Sequence, residues 1–302
     1  MAITVGIPKA LAFYEYQDLW RIFFRELGCK LIYSTNSNRE LLEMGKSLVV
    51  DESCLAMKIY MGHIHYLTKN CDYILIPYLE SINKKEETCT NFLALYDLTK
   101  TLFPEDKILN YHVNANKNIT EEKAFLKMGL SLNFNKKQVI NAYETAQKES
   151  TQLKLKKIKD NLEQLREKGK NKILLVAHTY NAYDKLIGEP IINYLKKQGI
   201  SVIHAHLNNC KSDNYQDFSK TLYWSYNKNL VNGLALYEKF VDGIIFLTVF
   251  PCGPDSLVNE LCLSKVTKPA IQIIIDELNS EVGLETRLES FIDIIERKKV
   301  NS

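Results

Sequence analysis

Gly243-Ile244-Ile245-Phe246-Leu247-Thr248-Val249-Phe250-Pro251-Cys252-Gly253-Pro254-Asp255-Ser256 carries an apolar run, a proline-bounded turn and the start of a helical pattern in one stretch. The run from Gly243 to Val249 reads as a strand, and the helical pattern begins at about Asp255. Cys252 therefore stands at the carboxyl end of a strand, where open α/β sheets keep their ligands. Pro251 and Pro254 fix φ on either side of the thiol, and Gly253 removes the Cβ that would block a close approach.

Outward from that stretch the same alternation repeats. In the second half, Lys172 to Ala177, Ser201 to Leu207 and Ala270 to Ile275 read as further strands. Lys185 to Lys197, Phe218 to Phe240, Ser256 to Ser264 and Leu284 to Glu296 read as helices. In the first half, the strands are Ile3 to Pro8, Lys30 to Ser34, Tyr73 to Tyr78 (closed by Pro77) and Lys107 to Val113. The helices there are Ala10 to Leu27, stopped by Gly28, then Asn38 to Ser47, Leu55 to Thr68 and Asn91 to Leu102. Between about Glu121 and Lys170 the strands stop, and Lys136 to Lys168 shows one long charge-rich helical pattern with a solvated face. This order predicts an α/β protein with two Rossmann-like lobes of mostly parallel sheet and a cleft between them. The expected boundaries are 1–120 for the first lobe, 121–170 for a helical connector and 171–302 for the second lobe. No residue-level repeat links the halves, so any duplication is architectural.

Composition narrows the class. The 302 residues are 46% hydrophobic and 25% charged, which is ordinary for a globular protein and long for a single core. No apolar stretch approaches the roughly 20 residues that cross a bilayer, and the chain starts directly on a strand-like segment, so a cytoplasmic protein with no membrane partner is expected. The 39 basic and 36 acidic side chains are interspersed and leave a net charge of only +3, which does not suggest a nucleic-acid surface. Seven cysteines with no C-x-x-C pair argue against a disulfide framework and a zinc ribbon, and the thiols are expected to be reduced.

Three cysteines sit where an α/β fold presents chemistry. Cys54, in Val50-Asp51-Glu52-Ser53-Cys54-Leu55, precedes a helix whose first turn offers unpaired N–H groups that favour a thiolate. Cys89 closes a polar loop between a strand and a helix, and Cys252 lies in the turn described above. Cys54, Cys89 and Cys252 together look like the thiolate shell of a 4Fe-4S cluster, for which dispersed spacing is allowed. Cys29, Cys71, Cys210 and Cys262 lie in blander contexts. Among the six histidines, His204 and His206 share a strand face as a rival metal pair, while His63 and His65 diverge on a helix. His178, at a strand end, is a candidate to line the cleft or to pack as a core residue. Lys9 stands at the turn after the first strand, where it could anchor an anion or face solvent. Asp255 and Ser256 could bond near Cys252, although helix capping is the expected role. There is no H-E-x-x-H, no P-loop and no G-x-G-x-x-G.

Gly6-Ile7-Pro8-Lys9-Ala10-Leu11-Ala12-Phe13-Tyr14-Glu15-Tyr16, Asp51-Glu52-Ser53-Cys54 and Asp72-Tyr73-Ile74-Leu75-Ile76-Pro77 resemble the acyl-CoA dehydratase activase-related proteins. His178-Thr179-Tyr180-Asn181-Ala182-Tyr183-Asp184, the Cys252 turn and Glu285-Thr286-Arg287-Leu288-Glu289 extend that resemblance. Such proteins are similar to the cluster-bearing subunits of 2-hydroxyacyl-CoA dehydratases and to double-cubane cluster reductases. The resemblance implies a 4Fe-4S cluster in the cleft, bound by Cys54, Cys89 and Cys252, with a double cubane as the alternative if further thiolates join. Thr90 departs from the proline expected after Cys89. The implied partners are a separate ATP-hydrolysing activase that supplies low-potential electrons, a small-molecule substrate that receives them, and a second copy of the chain or a related cluster subunit. A 2-hydroxyacyl-CoA dehydratase subunit and a non-catalytic cluster-binding accessory protein stay open as alternatives.

Overall fold

A computed structural model describes residues 2–68, 70–105, 107–210, 216, 218, 222–278 and 281–300. The chain divides into two compact units: Met1–Leu155 with Tyr223–Ser225, and Lys156–Leu222 with Tyr226–Ser302. Each is built on a four-stranded, wholly parallel sheet.

In the first unit the strands are β1 (Thr4–Ile7), β2 (Lys30–Tyr33), β3 (Tyr73–Ser81) and β4 (Ile108–Asn114), in spatial order β2-β1-β3-β4. In the second they are β5 (Lys172–Val176), β6 (Ser201–His204), β7 (Gly243–Val249) and β8 (Ala270–Ile275), in order β6-β5-β7-β8. The two orders are the same. Each winding reverses between its first and third strands, and a switch point of that kind opens a crevice at the strands' carboxyl ends. All seven residues of β7 are buried, as a central strand covered on both faces requires, and this accounts for its unbroken apolar run.

Crossover helices join the strands. In the first unit these are α1 (Phe13–Glu26), α2 (Arg39–Lys46), α3 (Leu55–Leu67) and α4 (Thr90–Leu102). Next come α5 (Glu121–Ser131), which packs on β4, and α6 (Lys136–Arg166). The boundary between the units falls inside α6, between Leu155 and Lys156. The second unit carries α7 (Thr179–Ala182), α8 (Glu189–Lys197), α10 (Gly253–Leu263), α11 (Glu281–Val300) and all but the first residue of α9 (Ser225–Tyr237). α1 shows why such segments fold where they do. Its Leu19, Trp20, Ile22, Phe23 and Phe24 are buried, and each large apolar side chain so covered contributes about 1.5–3 kcal/mol.

Three expectations need correction. β3 does not close at Pro77 but continues to Ser81. The Ile74 N–H donates toward the β4 side, to Lys107 O at 2.9 Å, so strand alternation turns Pro77 to the opposite edge. Pairing with β1 has already ended there at Gly6 and Ile74, so the missing N–H costs no ladder bond. The helix expected from Lys185 starts at Glu189, with Pro190 in its first turn, because residues 184–188 are held in a turn by the Asp184 carboxylate and carbonyl. β6 stops at His204, where its pairing with β5 ends at Leu175.

Candidate functional site

Cys54, Cys89 and Cys252 are the N-cap residues of α3, α4 and α10. Each has extended backbone angles and no side-chain capping bond, at a position usually held by Ser, Thr, Asp or Asn. A thiol at such a position lies at the positive dipole end of its helix, next to N–H groups that have no partner within the helix. Their carbonyls accept the first helical bonds, from Met57 N at 2.9 Å, Leu93 N at 3.1 Å and Ser256 N at 3.1 Å. All three side chains are half-buried.

The blander cysteines differ. Burial pushes the Cys29 thiol up to about 11, and burial likewise pushes Cys262, inside α10, up to about 12. Cys71 precedes β3 and donates to Leu67 O at 3.5 Å, while Cys210 lies in the loop after β6.

Within the first unit the structure brings Cys54 to the start of α4. Asn91, the second residue of α4, donates from Nδ2 to Cys54 Sγ at 3.1 Å. α3 itself is seated by α2. A Cβ at Gly45 would lie 1.7 Å from Lys58 O, and one at Gly62 would lie 1.9 Å from Leu41 O, so only glycine permits this backbone approach. Lys58 is buried in α3 and donates from Nζ to Asp51 O at 2.7 Å, tying down the segment that leads to Cys54. The polar loop before Cys89 is held from both sides. Thr88 N donates to Glu80 O at 3.1 Å, and Glu87 exchanges backbone bonds with Tyr223 and Ser225. The Lys9 ammonium donates to Asn36 Oδ1, and its backbone N–H to Ser34 Oγ at 2.9 Å.

In the second unit, Cys252 follows the cis Phe250–Pro251 bond, and a Cβ at Gly253 would meet nothing within 4 Å. The backbone at Gly253, next to this thiol in sequence, therefore has room on the side where a Cβ would stand. Asp255 does not cap α10, contrary to expectation; Cys252 holds the cap position and the carboxylate turns inward. Its Oδ1 accepts from His178 Nε2 and Asn227 Nδ2, each at 2.7 Å, and its Oδ2 accepts from Thr248 Oγ1 at 2.9 Å. Burial alone would raise the Asp255 pKa, but the attraction of His178 and the hydrogen bonds from His178, Asn227 and Thr248 outweigh it and hold the carboxyl below its ordinary range. His178, directly after β5, and Asp255, after β7, thus span the switch point of this sheet. The Ser256 hydroxyl donates to Cys252 O at 2.7 Å.

The histidine pair is packed against an aromatic ring, with no third ligand grouped beside it among the described residues. The rings of His204 and His206 lie 5.2 Å apart beside Tyr183, and burial, with His206 and Lys196 nearby, drives the His204 pKa well below its usual value. Among the described residues no three His, Cys, Asp or Glu side chains are grouped to hold a metal ion. The chemistry of the three cysteines nevertheless suits an iron–sulfur cluster: soft thiols at three helix starts, with an amide N–H on one sulfur. Cys54 and Cys89 belong to the first unit and Cys252 to the second. Sequence reasoning missed Asn91 and Lys58. Neither carries a distinctive local signal, since α3 also holds His63 and His65 and Lys58 is not its one polar residue.

Residues 4–207 match the family model described as "CoA enzyme activase uncharacterised domain", more than half of the chain. The matched region includes Cys54, Cys89 and His178 and ends before Cys252. No curated protein matches the chain. Among the described residues no helix is long and apolar enough to cross a membrane.

Proposed function

Because the chain belongs to the CoA enzyme activase uncharacterised domain family, we propose that it is an iron–sulfur component of a CoA-enzyme activation system. In this reading it accepts low-potential electrons from a separate ATP-hydrolysing activase and passes them to a small substrate. Cys54, Cys89 and Cys252 hold a 4Fe-4S cluster, which when bound supplies one-electron chemistry.

One observation carries the reading: the three cysteines that stand out in the sequence occupy one and the same structural position, a helix N-cap without a side-chain cap. A cluster held there would lie near the first N–H groups of three helices, and donors of that kind set how readily a bound cluster is reduced. Half-burial keeps the thiols accessible to iron while limiting water around them.

The family description favours a second reading, in which the chain is an accessory of the activase and its partner is a dehydratase component. Both readings are tested by single substitutions in the full chain. Under the first, Cys54→Ala, Cys89→Ala and Cys252→Ala each lose iron after anaerobic reconstitution, whereas Cys71→Ala keeps it. Equal iron in all four variants would refute the assignment of ligands and leave the accessory role standing.

A further inference from the structure

We propose that Asn91 is a positioning residue that raises the reduction potential of the group held by Cys54, an inference that rests on the iron–sulfur reading above. A polar contact to a sulfur links α4 to the start of α3, from Asn91 Nδ2 to Cys54 Sγ at 3.1 Å. Asn91 lies two residues beyond Cys89. The bond therefore runs from the helix that starts at one proposed ligand to the sulfur of another.

An asparagine in a first helical turn usually folds back onto its own backbone. Here the amide reaches a different helix. An N–H aimed at a thiolate sulfur stabilises the more negative, reduced state more than the oxidised one, because the added electron raises charge on the sulfurs. Loss of that donor must then make reduction harder. The backbone N–H groups of α3 are unaffected by a change at Asn91, so the effect of the amide can be separated from that of the helix terminus.

Three variants isolate it. Asn91→Ala removes the donor. Asn91→Asp removes both amide protons and places a carboxylate near the sulfur, while an acidic residue in the first turn of α4 keeps the helix favourable. Thr90→Ala alters the adjacent exposed residue and serves as the control. The full chain and its variants are reconstituted anaerobically with iron and sulfide, assayed for iron, and titrated spectroelectrochemically.

Equal iron content is expected, with the midpoint potential of Thr90→Ala at the wild-type value, Asn91→Ala more negative and Asn91→Asp more negative still. Loaded Asn91 variants that titrate with the wild type would overturn the inference and leave the iron–sulfur reading intact. A folded Asn91→Ala protein that no longer takes up iron would also overturn it, because Asn91 would then retain the ligand rather than tune it. Absence of iron from wild type and variants alike would refute both the reading and the inference.

Discussion

His63 shows how much one residue's surroundings can do. The ring is fully buried, with Nδ1 2.7 Å from Ser34 Oγ and Nε2 3.0 Å from Ser37 Oγ. Burial, aided by the Lys9 charge, pushes its pKa from 6.5 down to about 3. The folded value lies below the unfolded one, so on acidification the unfolded chain takes up the proton first. The contribution to stability is then complete above about pH 6.5 and is lost as pH falls toward 3. The urea midpoint is expected to drop between pH 7 and 4, and His63→Gln should flatten that drop; an unchanged slope in the variant would refute the assignment. At this scale the sequence reveals Cys54, Cys89 and Cys252 because each precedes a helical periodicity. It does not reveal the bond of Asp255 to His178 or the reach of Asn91 to Cys54, since those partners lie 77 and 37 residues away and no local pattern encodes them.

Among the elements, the pairing of α2 with α3 matters most to the site, because it seats the helix that Cys54 caps. A methyl group at Gly62 would sit 1.9 Å from Leu41 O, a backbone atom that cannot swing aside. Gly62→Ala should therefore cost about 1–3 kcal/mol in denaturant unfolding and lower iron uptake by shifting the start of α3. Gly253→Ala, where the methyl group meets nothing within 4 Å, should leave stability near wild type. Similar losses in both would mean that the close helix approach is not what holds α3. The apolar run made β7 legible to its end residues, since a buried parallel strand leaves an unbroken signature, whereas β8, only partly buried and interrupted by Gln272, was marked by its β-branched residues. β3 was less legible because Pro77 is a stop signal only where its missing N–H would have faced a neighbouring strand.

For the molecule as a whole, the strand orders β2-β1-β3-β4 and β6-β5-β7-β8 repeat one winding without a matching residue pattern. Within that winding Cys89 and Cys252 are equivalent, each capping the helix that follows the third strand of its sheet. The alternation of strand and helix patterns made the two sheets legible, whereas strand order depends on which edges pair and had to come from the structure. The family match ends at residue 207, so Cys252 owes its place in the account to its turn and to this equivalence. The central claim is that these thiols hold a cluster. It is tested most directly by iron and acid-labile sulfide analysis of the anaerobically reconstituted full chain, with its absorption spectrum. The account predicts a brown protein with about four iron and four sulfide per chain, as one 4Fe-4S cluster requires. A folded, colourless protein without iron would contradict it.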